Sequence, residues 1–162
     1  MPAITDPMDA LVQYQEAFVL GLIPVQPCSA NHDLLFAVDY PHDNVRFSYM
    51  RAVRQSLSVL VMFVQTGLEE EEPIFHIGYA VAPEFRGCGL AASTVGAALA
   101  DLSVRLGRAQ IPMIRIEAVI GVDNVASQRV ALVIFDKTPV SVTDEVSGEP
   151  ALYYCRAVAC GS

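Results

Sequence analysis

Residues Pro83–Ala91 read PEFRGCGLA, and they follow the apolar, strand-length run Ile74–Ala82, IFHIGYAVA. In that run Phe75, Ile77, Tyr79 and Val81 alternate onto one face, and Pro83 stops the strand. From Leu90 to Arg108 the period becomes helical: Ala91, Val95, Ala98, Leu99, Leu102 and Leu106 form one stripe, and Gly107 is placed to end it. A glycine loop thus joins a strand to a helix. The first N–H groups of a helix have no partner inside it, and the helix dipole adds about half a positive charge there. Such a loop is an anion cradle, because glycine lets the backbone approach a ligand closely. Two phosphate patterns are excluded. G-x-x-x-x-G-K-S/T fails because no lysine follows Gly89, and G-x-G-x-x-G fails because Gly87-x-Gly89 is followed by Ala92.

Downstream, Met113–Val122 alternates as a strand, with Ile114, Ile116, Ala118 and Ile120 on one face and Arg115, Glu117 and Val119 on the other. Asp123-Asn124 caps a second helix, Val125–Ile134. Val140–Thr143 and Ala151–Ala159 read as strands around the turn Ser147–Pro150. Upstream, Val45–Val53 and Leu57–Gln65 form a hairpin through Arg54-Gln55-Ser56, and Thr66–Pro73 reads as a charged loop. Nearer the N-terminus we expect a helix over Asp9–Phe18, a strand over Phe18–Val25 and a short apolar run, Leu34–Val38. This order gives one α/β (α+β) domain over residues 1–162, with a mixed central sheet.

The chain has 162 residues, 53% of them apolar, enough for one substantial core and for a further buried surface such as a homodimer interface. No apolar run reaches transmembrane length, and the first ten residues lack the charged and apolar regions of a signal peptide. The expectation is a cytoplasmic protein without a membrane partner. Cys28, Cys88, Cys155 and Cys160 have no metal-site spacing, so free thiols and no metal are expected. The net charge of −8 is uneven: residues 1–72 carry −7, residues 73–115 carry +2 and residues 116–162 carry −3. The positive stretch contains the glycine loop. An acidic chain is a poor nucleic-acid binder but attracts cationic small molecules or basic peptides.

The loop fits Q/R-x-x-G-x-G/A as Arg86-Gly87-Cys88-Gly89-Leu90-Ala91, preceded by GYAVAPEF and followed some thirty residues later by Asn124-Val125-Ala126-Ser127-Gln128-Arg129-Val130. In these motifs the chain resembles the GNAT superfamily of acetyl-CoA-dependent N-acyltransferases, over roughly residues 45–135. The resemblance implies a mostly antiparallel central sheet flanked by helices and splayed at the cofactor. It implies that N–H groups of Arg86, Gly87, Cys88, Gly89, Leu90 and Ala91 receive the pyrophosphate of coenzyme A. Ala80 and Val81 would pair with the pantetheine arm, and a main-chain N–H there would polarise the thioester carbonyl. Asn124 would touch that arm or serve as a plain helix cap, or both. Three departures stand out: Cys88 replaces a basic residue, Ala131 occupies the position of a tyrosine acid, and Ile134-Phe135-Asp136-Lys137 replaces the closing glycine-phenylalanine.

Acyl transfer to an amine needs a neutral nitrogen, and at pH 7 only about one lysine-type amine in two thousand is neutral. A lysine-type or polyamine acceptor therefore needs a base more than a peptide N-terminus does. Glu117, mid-strand in an apolar run, is the candidate, with a salt bridge to Arg115 or to a neighbouring strand as the alternative reading. Ser127 is the candidate relay to the leaving sulfur, or a capping residue. Tyr153 and Tyr154 are alternative acids, one of them expected in the core, and His76 reads as a structural histidine. The reading is an acetyl-CoA N-acetyltransferase acting on a small cationic amine or a peptide N-terminus by direct attack in a ternary complex. Its rival is a coenzyme A-binding sensor or assembly subunit without activity.

Overall fold

The computed structural model describes residues 6–161. Helix α1 spans Pro7–Val19: Asp6 Oδ1 accepts from the N–H groups of Met8 (2.8 Å) and Asp9 (3.4 Å), and Pro7 supplies a preset φ in the first turn. Beyond Val19 the chain does not form the expected strand; Phe18 and Val19 complete the helix, and a loop runs to the two-residue strand β1, Gln26–Pro27. The first half of the sheet continues with β2 (Leu35–Asp39), β3 (Arg46–Val53), β4 (Ser56–Glu69) and β5 (Glu72–Val81). Then come α2 (Leu90–Arg108), β6 (Met113–Gly121), α3 (Val125–Ile134), β7 (Val140–Thr143) and β8 (Pro150–Ala159).

The eight strands lie in the order β1-β2-β3-β4-β5-β6-β8-β7. All neighbours are antiparallel except β5 and β6, which run parallel through three register pairs only: Ile74 with Arg115, Phe75 with Ile116 and His76 with Glu117. Beyond His76 the two strands part. β6 instead follows β8 for its whole length, from Met113 opposite Ala159 to Gly121 opposite Ala151.

Both sheet faces are covered, which explains why Val59–Phe63 is continuously apolar. Val59, Val61 and Phe63 face α2 and α3, where they meet Val95, Ala98, Leu102 and Ala131. Leu60 and Met62 face α1, through Ala10 and Leu11. On the larger face Tyr49 donates to Asp101 Oδ2 (2.7 Å), and the Arg105 guanidinium lies 3.8 Å over the Phe36 ring.

Two local readings change. The segment Thr66–Pro73 is mostly strand: β4 and β5 pair to Glu69 opposite Glu72, leaving only Glu70-Glu71 as the turn. Both turn residues have positive φ (51° and 69°), the geometry of a type I′ hairpin, without the Asn-Gly that announces one. Gly107 lies inside α2 rather than ending it. The Gln110 N–H donates to Gly107 O (3.1 Å) and the Ile111 N–H to Leu106 O (3.0 Å), closing a Schellman motif with Gln110 at φ 67°. Gly107 instead admits a close neighbour, since a Cβ there would lie 2.7 Å from Gly161 Cα.

Replacing Glu70-Glu71 by Asn-Gly relieves the left-handed strain and should add about 1 kcal/mol of stability. The expected rise in Tm is roughly 2–4 °C, measured by thermal unfolding.

Candidate functional site

The parting of β5 and β6 opens a cleft of about 1310 Å³. One wall begins at the glycine loop. After a single 3-10 turn at Pro83–Phe85, Gly87 and Gly89 take φ of 83° and 73°, and Gly89 serves as the N-cap of α2 with no side-chain cap. The first main-chain bond of the helix is Ser93 N–H to Gly89 O (3.2 Å). Consequently the N–H groups from Gly87 to Ala92 donate to nothing among the described residues. A Cβ at either glycine would meet no atom within 4 Å, so space is not what requires glycine here; the backbone conformation is. Six free donors at the start of a nineteen-residue helix fit the pyrophosphate of coenzyme A.

Arg86 supports the loop from below, donating Nε–H to Val81 O (3.0 Å), with another guanidinium nitrogen 3.5 Å from Met8 Sδ. Cys88 leaves its N–H without a partner among the described residues. Its thiol is exposed, donates to Phe85 O (3.0 Å) and does not line the cleft.

The second wall is the freed edge of β5. Ala82 N–H donates to Ser58 O (2.9 Å), which fixes the antiparallel alternation. Ala80 therefore turns its main-chain groups toward β4, whereas Val81 and Tyr79 turn theirs toward the cleft. The Tyr79 side chain spans to the third wall: its hydroxyl donates to Ser127 O (2.6 Å) in the first turn of α3. Asn124 Oδ1 accepts the Ser127 N–H (3.1 Å), so it caps α3 while also lining the cleft.

At the apex, where the strands part, His76 and Glu117 are register partners on the same sheet face. Tyr153 of β8 donates its hydroxyl to Glu117 Oε2 (2.7 Å). Glu117 therefore binds Tyr153 and not Arg115, which pairs with Glu72 (2.9 Å). Tyr154 points the other way into the core, 5.4 Å from the Phe135 ring. Burial pushes the Tyr153 hydroxyl's pKa up, with the Glu117 hydrogen bond adding to it, so Tyr153 holds its proton. Burial also pulls the His76 pKa down, against the opposing pull of the Glu117 and Asp144 charges. Asp144 and Glu145, from the β7–β8 turn, and Asp6, from the α1 cap, complete an acidic rim.

A family model for the acetyltransferase (GNAT) domain matches residues 15–133. The chain belongs to the GNAT acetyltransferases. Among solved structures it is similar to the ribosomal L7/L12 alpha-N-protein acetyltransferase RimL in complex with coenzyme A, at 20% identity and a TM-score of 0.53, covering 70% of this chain and 62% of that one. It is similar to a GNAT-family acetyltransferase from Streptococcus pneumoniae, at 8% identity and 0.54, covering 70% and 66%. A mutant spermidine N-acetyltransferase from Vibrio cholerae aligns at 16% identity and 0.50, covering 70% and 64%. At these identities the likeness is one of fold, and the chain spans under two thirds of each structure's own length. No curated protein sequence matches this GNAT chain.

Glu117, Ser127, Asn124, Ala80, Val81, Arg86, Gly87, Gly89, Leu90 and Ala91 line one cleft, but the Arg86 N–H is taken by Pro83 O (3.5 Å) and the Ala80 main chain faces β4, so neither offers the backbone group expected of it. Sequence reasoning missed Tyr79 as a brace and Asp144 as a rim charge. The pairing register decides the first, and the fold-back of the last hairpin decides the second.

Because folding depresses the His76 pKa, the unfolded chain binds more protons as pH falls through about 6.5. The His76 contribution to stability is therefore whole above that pH and is lost below it. Between pH 7.5 and 5.5 the urea midpoint of the parent should fall further than that of His76→Gln.

Proposed function

We propose that this GNAT domain transfers the acetyl group of acetyl-CoA to a primary amine, by direct attack in a ternary complex. One observation carries the reading: the free N–H cradle, the unpaired edge of β5 and Glu117 open onto the same cleft. When bound, acetyl-CoA supplies the activated acetyl group as a thioester. The donors from Gly87 to Ala92 hold its pyrophosphate, with Arg86 fixing the loop. The main-chain groups of Val81 and Tyr79 pair with the pantetheine arm at the β5 edge, while Asn124 and Ser127 border it from α3. Glu117 takes a proton from the incoming ammonium, and Tyr153 orients that carboxylate through Oε2. Ser127 Oγ is the hydroxyl assigned to the leaving sulfur. The acceptor is a small cationic amine or a peptide N-terminus, attracted by Asp6, Glu117, Asp144 and Glu145.

A second reading has its own observation. Ala131, where the resemblance implies a tyrosine acid, is buried and offers no proton. That favours a coenzyme A-binding sensor or assembly subunit without turnover. Apolar side chains exposed on α3, Leu132 and Val133, favour a homodimer in either case.

Acetyl-CoA at a hundred times its Kd should stabilise the protein by about 2.7 kcal/mol, raising Tm by roughly 5–10 °C. Gly89→Asp, which keeps a residue tolerant of left-handed φ, should abolish that shift by placing a carboxylate in the cradle. An unchanged shift in the variant would remove the loop from the binding site.

Glu117→Gln should keep the acetyl-CoA shift and lower kcat by about 10²–10⁴-fold. A parent that binds acetyl-CoA but turns over no amine would establish the sensor reading instead.

A further inference from the structure

We propose that His76 is a positioning residue for the acceptor, accepting a hydrogen bond from the reacting nitrogen through Nε2 beside the Glu117 carboxylate. This rests on the transferase reading and adds to it a second point of attachment for the amine. His76 is the last residue of β5 paired with β6, directly across from Glu117, and both side chains leave the sheet on the face that lines the cleft. The ring is only 8% exposed. Its Nδ1 is enclosed without a hydrogen-bond partner, the sole buried side-chain nitrogen or oxygen in that state among the described residues. No cleft ligand reaches that enclosed atom, and with the ring proton on it the lone pair of the neutral imidazole lies on Nε2. Nε2 is the nitrogen left to face the cleft.

The surroundings fix what Nε2 can meet. Glu117 on β6 and Asp144 in the β7–β8 turn both act on the ring, Asp6 lines the cleft from the α1 cap, and the Tyr153 hydroxyl is already committed to Glu117. Arg86 belongs to the loop at the other end, on Val81. An anionic pocket draws a cation, and every hydrogen on an ammonium is a donor. Burial keeps the imidazole neutral, so it offers a lone pair rather than a competing charge. The proton passes from the ammonium nitrogen to a Glu117 oxygen, and the imidazole gains none. One remaining N–H then bonds Nε2 and the other faces Glu117, which leaves the nitrogen lone pair free to point at the acyl carbon. With one contact alone the amine rotates; with two its lone pair has a direction.

The test compares the parent with His76→Gln, whose amide oxygen reaches the Nε2 position, and His76→Asn, whose amide reaches only that of Nδ1. Propylamine is the probe acceptor with acetyl-CoA. His76→Asn should raise the KM for propylamine by about 10- to 100-fold, with the KM for acetyl-CoA unchanged. His76→Gln should stay within about threefold of the parent, on the same reasoning that it keeps the acceptor atom. Separately, propylammonium chloride added to the ¹⁵N-histidine-labelled parent with coenzyme A should move the His76 Nε2 resonance more than Nδ1. That readout needs neither turnover nor a folded variant. An Nε2 resonance that stays still, or a propylamine KM in His76→Asn equal to the parent's, would overturn the proposal. Movement of Nε2 in a protein that turns over no amine would uphold His76 as the amine contact and sink the transferase reading alone.

Discussion

The three-pair parallel seam between β5 and β6 is the constraint on which the rest of the molecule depends. It joins two antiparallel sub-sheets, β1 to β5 and β6-β8-β7, each with full pairing of its own. A longer seam would give β5 a protein partner along its whole edge and close the cleft. With no seam, the two sub-sheets would hold together only through the helices. The short seam leaves the main-chain groups of Tyr79 and the Val81 N–H without partners, while Val81 O accepts from the Arg86 side chain. Unpaired backbone at the base of a cleft has a free-energy cost, which a strand-like ligand offsets.

The wedge is held open from both faces. On the helical face, Tyr79 reaches across to Ser127 and ties the end of β5 to the start of α3. On the other, Gly78 admits the N-terminus of α1: a Cβ there would sit 3.0 Å from the Pro7 ring. The capping of α1 by Asp6 therefore also brings a carboxylate to the cleft. Local structure and site composition are coupled here by a single turn of helix.

The cleft has two electrostatic characters. Its loop end offers oriented N–H groups and a helix dipole, a setting for phosphate oxygens. Its apex and rim carry Glu117, Asp144, Glu145 and Asp6 around a neutral His76, a setting for a cation. Anion and cation would thus be ordered along one groove, and the splay sets their separation.

Much of this was legible in the sequence because it is local. The loop Arg86–Ala91, the stripe of α2, the alternation of β6 and the cap at Asn124 depend on neighbours within a few residues, and each appears in the structure where its pattern placed it. Failures also had local causes. Glu70-Glu71 makes a hairpin turn with residues that seldom adopt positive φ, and Phe18 is apolar because it packs on the sheet from the end of a helix rather than forming a strand. The elements around the glycine loop and its free N–H groups follow from local patterning, since helix starts and glycine dihedrals rest on covalent geometry. The parting of β5 and β6 after His76, the meeting of Tyr153 rather than Arg115 with Glu117, and the return of Asp144 to the apex come from long-range packing. Those outcomes depend on strand register between residues far apart in the chain, where a shift of one position turns every side chain to the opposite face.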